Sequence, residues 1–193
     1  LGRKLSNSTE LERRNYTTKR FGLWFKKGPF FYANLNLKFY TFLFFKKCDL
    51  IVANDLDTLM AGHLSAKRKQ NCELVYDSHE FYTGVPELVN RPSVQRIWER
   101  IEGWIFPKLN KIYTVNQSIA DIYEKKYGKK LFVVRNVSPR IKDLESVSKE
   151  TYQIPSDKKM LILQGAGINV DRGAEELVEA MMEIDDAVLV ILG

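Results

Sequence analysis

The sequence predicts an α/β fold built on parallel sheets, and three observations predict it. From Asp49 onward, short apolar runs rich in β-branched residues alternate with helical segments, the pattern of parallel strands joined by crossover helices. One such run, Leu74-Val75-Tyr76, breaks directly into Asp77-Ser78-His79-Glu80, and the carboxyl ends of strands are where open parallel sheets bind ligands. Another, Met160-Leu161-Ile162-Leu163, runs into Gln164-Gly165-Ala166-Gly167, and Asp171-Arg172-Gly173 then opens a helix, a turn suited to cradling an anion. The fold expected is a Rossmann-like parallel-sheet domain followed by the beginning of a second Rossmann-like domain.

A short opening stretch and a polar loop, Ser6 to Arg14, come first. Arg20 to Phe25 is read as a strand and Pro29 to Lys47 as an aromatic-rich helix, with its Phe39 to Phe45 run buried on the sheet. The alternation then becomes regular. Leu50 to Ala53 is a strand, Asp57 to Lys69 a helix, Glu73 to Tyr76 a strand and Ser93 to Leu109 a long helix. Lys111 to Val115 is a strand, a helix starts at Ser118 and stops at Gly128, and Leu131 to Val134 is a strand. Between Asn136 and Ser156 the pattern lapses into Ser, Pro, Lys, Asp and Glu, bracketed by Pro139 and Pro155. A fresh strand, turn, helix and strand follow from Lys159 to Leu192. The organisation expected is an N-terminal domain over 1–137, its first strand missing, a linker over 138–157, and the truncated start of a C-terminal domain over 158–193. An uncovered last strand suggests that residues beyond 193 complete the second unit.

With 193 residues and 45% hydrophobic content the chain buries a real core, which excludes disorder. Its charge of +6 is regional: residues 1–50 carry eleven Lys/Arg against three Asp/Glu, or +8, and the remainder −2. Such a region attracts phosphoryl groups or acidic lipid surfaces, or is simply a solvated lysine-rich face. No nucleic-acid motif accompanies it. Cys48 and Cys72 are isolated in sequence, without C-x-x-C or histidine spacing, so neither a metal site nor a disulfide framework is expected, and reduced cytosolic thiols fit best. Asn34, Asn36 and Lys38 interrupt the aromatic stretch from Phe30 to Phe45, which falls short of the roughly 20 apolar residues of a membrane span.

Four groups of residues are candidates for chemistry. His79 follows a buried strand, with Asp77 and Glu80 beside it to orient it or tune its proton affinity; the plainer reading is a loop histidine that satisfies a backbone group. His63, on a helix surface, is assigned no role. Asp55 and Asp57 also follow a strand on the crevice side, where they bind an acceptor hydroxyl or cap the next helix, and the cap is favoured for Asp57. Gly165-x-Gly167 resembles the start of a dinucleotide fingerprint, but Val170 stands where the third glycine belongs and the ribose-binding acid is absent. What remains is a turn that lets the backbone approach a diphosphate, with Arg172 and a helix N-terminus behind it. The alternative is a tight turn and an exposed arginine.

Asn54-Asp55-Leu56-Asp57-Thr58-Leu59, Leu74 to Glu80, Tyr113-Thr114-Val115-Asn116, Val133-Val134-Arg135-Asn136-Val137 and Leu163 to Met181 occur in the order in which glycosyltransferase family 4 carries its counterparts. The chain resembles that family, the retaining group 1 enzymes of GT-B fold. The resemblance implies an N-terminal acceptor domain and a C-terminal domain for a nucleotide-sugar donor. It implies that His79 contacts the donor sugar near the reacting centre and that Arg172 contacts the donor diphosphate; Gly165, Gly167 and Gly173 are read beside Arg172 as donor-binding, and Asp55, Asp77 and Glu80, from their place at strand ends, as acceptor-side candidates. It further implies a glycan or lipid-linked acceptor, no metal, no cofactor beyond the substrate, and a cytoplasmic enzyme peripheral to the inner membrane face. The family usually carries an arginine directly after the first glycine of the donor turn and a lysine before the second; here Ala166 and Arg172 stand there. The 193 residues alone are expected to be inactive. Two other readings are a GT-B-fold nucleotide-sugar epimerase and a non-catalytic scaffold on a membrane surface.

Overall fold

A computed structural model describes residues 1–11, 13–140, 145–165, 167–168 and 173–193, with the side chain of Val89 also excluded. The chain forms two compact units, Leu1–Val137 and Ser138–Gly193.

The first unit begins with a short parallel pair of β1 (Gly2–Lys4), absent from the sequence reading, and β2 (Arg20–Gly22), shorter than the strand expected over Arg20 to Phe25. Its main sheet is parallel throughout, in the order β3 (Leu50–Asn54), β4 (Glu73–Ser78), β5 (Lys111–Thr114), β6 (Phe132–Val133). The register pairs Asn54 with Asp77 and Ser78 with Thr114, so three strands end together and present one carboxyl edge. This is the Rossmann-like α/β arrangement expected.

Helix α1 (Pro29–Phe44) starts on a proline, whose fixed φ suits the first helical turn. It packs on α2 (Leu56–Lys67) through Leu35, Phe39 and Ala61 rather than covering the sheet with its whole aromatic run. Phe21 also packs on α1, against Phe39 and Phe42, while Phe44 and Phe45 at its end are exposed. The Asn36 side chain locks the pair: its Nδ2 donates to the Asp57 carbonyl at 2.6 Å and its Oδ1 accepts from the Ala61 N–H at 2.9 Å. These are the two backbone groups that one turn of α2 would otherwise pair with each other. On its other side α2 lies close to the sheet at Gly62, where an added Cβ would stand 3.1 Å from Leu74 Cδ1 and 3.2 Å from Ala53 Cβ.

Between β4 and β5 the chain makes a 3₁₀ turn at Tyr82–Gly84, a short α3 (Pro86–Val89) and α4 (Pro92–Ile105). The long helix expected to reach Leu109 ends at Ile105 and tightens into a 3₁₀ turn at Phe106–Lys108, where Pro107 supplies no N–H. Helix α5 (Gln117–Tyr127) is capped by Asn116, whose Oδ1 accepts from the Ile119 N–H at 2.9 Å, and ends on Gly128 at φ 66°, a left-handed stop that glycine adopts without strain.

The core centres on Tyr76, Phe106, Tyr123 and Tyr127. Phe106 stacks on Tyr123 at 4.6 Å and on Tyr127 at 4.5 Å. Glu102, fully buried, is satisfied within this layer: its Oε1 accepts from Lys126 Nζ and from the Tyr127 hydroxyl, each at 2.6 Å. Burial and the Glu102 carboxylate push the Tyr127 hydroxyl well above its ordinary range.

In the second unit, the stretch read as a linker contains a 3₁₀ turn at Lys149–Tyr152 and the buried Ile154. β7 (Lys159–Gln164) and β8 (Ala187–Leu192) pair in parallel along their full length, with α6 (Ala174–Ala180) between them in sequence. Among the described residues no helix is long and apolar enough to cross a membrane.

Candidate functional site

The carboxyl edge of the first unit gathers Asp55, Asp57, Asp77 and His79 from the ends of β3 and β4. Asp55 follows β3 directly, and its N–H donates to the Asp77 carbonyl at 2.8 Å, extending the strand pairing one step. Its backbone then turns to φ 59°, ψ 168°, a region that glycine occupies freely and that costs other residues about 1–3 kcal/mol. The turn aims the carboxylate across the edge. Asp55 Oδ1 accepts from the His79 N–H at 2.9 Å, and Oδ2 stands 3.8 Å from His79 Nδ1.

Asp77 holds the ring from the other side, with its Oδ2 2.9 Å from His79 Nε2. Asp77 is buried while His79 is about half exposed, so the orienting group is fixed and the working group reaches solvent. The Ser78 hydroxyl donates to the Glu80 carbonyl at 2.9 Å and closes the turn. With an Nε2 proton directed at Asp77, the neutral ring presents Nδ1 as a hydrogen-bond acceptor on its exposed side; protonated, it offers a second donor beside Asp55. Burial and the neighbouring Asp77 carboxylate raise the Tyr113 hydroxyl above its ordinary range. The sequence neighbours expected to orient His79 were Asp77 and Glu80; Asp77 does so at the ring, and Asp55, 24 positions upstream, does so at the backbone.

Asp57 does not cap α2. The N-cap position falls on Asp55, whose carboxylate faces His79 and makes no capping bond, and Asp57 lies inside the first turn. Burial first, and the Asp55 charge second, push its carboxyl up to about 6, with a smaller push from Glu80 and an opposing pull from backbone N–H groups of the helix. A carboxyl titrating near neutrality at a ligand edge is suited to acid/base work. Asp55 and Asp57, two positions apart directly after β3, were the signal available for it.

In the second unit, Gly165 continues the β7–β8 ladder, its N–H donating to the Leu192 carbonyl at 3.0 Å. An added Cβ at Gly167 would meet open space, so that backbone is accessible. Gly173 sits before α6 at φ 80°, where a side chain would be strained. Arg172, expected as the donor-binding cation, lies outside the described residues. Glu175 and Glu176 occupy the first turn of α6, where they complement the helix dipole and weaken that end as an anion site.

Among the described residues no group of three or more His, Cys, Asp and Glu side chains is arranged to hold a metal ion. The sequence model of Glycosyltransferase Family 4 matches residues 3–137, and the chain belongs to that family. No curated protein matches it.

Proposed function

We propose that this member of glycosyltransferase family 4 moves a sugar from a nucleotide-sugar donor to a glycan or lipid-linked acceptor, with retention and without a metal. The observation that carries the reading is His79 clamped at its ring by Asp77 and at its backbone by a strained Asp55, at the carboxyl edge of a parallel sheet. Strain of this kind persists where surrounding structure and function hold it.

Breaking the bond from anomeric carbon to phosphate develops positive charge on the sugar and negative charge on the departing diphosphate. Fixed polar groups placed where charge develops lower that barrier without reorganising. His79 is assigned to the donor sugar beside the reacting carbon. Asp55, Asp77 and Glu80 are assigned to the acceptor side, where a carboxylate can receive the proton of the attacking hydroxyl. Asp57, titrating near 6, joins them as a candidate. Gly165, Gly167, Gly173 and Arg172 are assigned to the donor diphosphate, through backbone N–H groups and one guanidinium. Retention follows from attack on the face the leaving group vacates, through a short-lived ion pair. A lipid-linked acceptor suits the +8 of residues 1–50 and the exposed Trp24 and Phe45, which favour an anionic surface and peripheral residence at the cytoplasmic face of a membrane.

The test is release of nucleoside diphosphate by the intact protein across a panel of nucleotide sugars, with His79→Ala, Arg172→Ala and Asp77→Asn alongside. One donor is expected to turn over, with kcat lowered about 100-fold or more by His79→Ala while the far-UV circular dichroism stays unchanged. Failure to bind or consume any donor overturns the proposal in favour of a surface-binding scaffold, and conversion of a donor to an isomer without acceptor favours an epimerase.

A further inference from the structure

Cys48 and Cys72, isolated in the sequence, are neighbours in the fold. They precede β3 and β4 at the amino edge of the sheet, and their sulfurs stand 3.9 Å apart. The two connections are already paired there, since the Glu73 N–H donates to the Asp49 carbonyl at 2.9 Å. The pairing of Leu50 with Glu73 sets Cys72 one position out of step with Cys48 across the two chains, and a spacing of about 4.8 Å with a rise of about 3.3 Å per residue puts their Cα atoms about 6 Å apart, inside the range of about 4.4–6.8 Å for a disulfide. Both thiols are free and half-buried, so the gap of 3.9 Å closes to a bond of about 2.05 Å by side-chain rotation rather than by moving strands.

We infer that Cys48 and Cys72 are a redox-active pair that forms a reversible disulfide with a low-molecular-weight disulfide as oxidant. The Cys48 thiolate attacks one sulfur of the oxidant, forming a mixed disulfide and expelling a small thiolate. That thiolate takes the proton of Cys72, and the Cys72 sulfur then attacks Cys48 Sγ, forming the internal bond and releasing a second small thiolate that is protonated from solvent. Two cysteine thiols lose two electrons, and one small disulfide becomes two thiols. Burial and the neighbouring Cys48 sulfur push the Cys72 thiol up, and the first attack is assigned to Cys48.

The bond would close a loop of 24 positions containing β3 and α2, the elements that place Asp55 and Asp57. It lies at the opposite end of these strands from His79, so it braces the site without covering it.

The test incubates the native chain with oxidised and reduced glutathione at a series of ratios, alkylates free thiols and maps the peptides by mass. The expected product is one peptide pair joined through Cys48 and Cys72. Its amount should follow the glutathione ratio, and the thermal midpoint should rise by about 5–10 °C. Cys72→Ser should stop at a mixed disulfide on Cys48. Thiols that both remain alkylatable at the most oxidising ratio, or two separate glutathione adducts without a cross-link, overturn the inference.

Discussion

Replacing Asp57 with asparagine removes one charge from the ligand edge while keeping the side chain's shape and its capacity to accept from the backbone. In the native protein this carboxyl titrates at about 6 against an ordinary value of 3.8. Between about pH 4 and 6 the folded chain therefore holds a proton that the unfolded chain has released. Stability contributed by this group is greatest below pH 3.8, declines as the pH rises through the window and is level above about 6. A difference of about two units corresponds to about 3 kcal/mol, and the side chain's remaining contact with water reduces this to about 2 kcal/mol. The Asn36 contact is to the backbone carbonyl of residue 57 and survives the change. Urea denaturation from pH 4 to 8 measures the effect. Asp57→Asn is expected to be about 2 kcal/mol more stable than the parent at pH 8, with the difference vanishing toward pH 4. Parallel pH profiles for the two proteins, or a variant less stable at pH 8, would refute the assignment of burial and Asp55 as the cause.

Asp55→Gly relieves the backbone at φ 59° and is expected to leave stability unchanged or raise it by about 1 kcal/mol, while loss of the carboxylate that holds the His79 N–H lowers the transfer rate; a variant both as active as and no less stable than the parent would show that the strain serves no purpose. Glu102→Ala strands the Lys126 ammonium and two tyrosine hydroxyls around a fully buried position, so denaturant unfolding should show a loss of about 3–5 kcal/mol, and Glu102→Gln, which keeps an acceptor, a smaller one. Gly62→Ala gains helix propensity of about 1 kcal/mol but drives a methyl to 3.1 Å from Leu74 Cδ1. A net destabilisation of about 1–2 kcal/mol is expected, read as a lowered thermal midpoint with the far-UV spectrum intact.

The strand-helix alternation of the first unit was legible because each strand and its helix are encoded by local pattern: β-branched runs, the Asn116 cap and the Gly128 stop are all short-range signals. Elements with weak local signals were missed or misjudged. The three-residue β1 exists only because β2 pairs with it, and α1 ends at Phe44 rather than at the Lys47 expected. The site divides in the same way. His79 and Asp77 were found together because they are two residues apart on one strand end, which any reading of β4 exposes.

Sequence by itself determined the class of fold, the edge at which polar residues collect and the family, all of which follow from periodicity and ordered motifs. Only the tertiary structure decided that Asp55 is bent toward the His79 backbone instead of capping α2, that Asp57 is pressed by burial and a neighbouring charge to titrate near 6, and that Cys48 meets Cys72. The physical reason is contact between residues that local sequence pattern does not encode. The first and third depend on strand register, which sets residues 24 positions apart within a few ångströms and is a property of paired strands that neither strand carries alone, while the second depends on the packing that buries Asp57 beside Asp55.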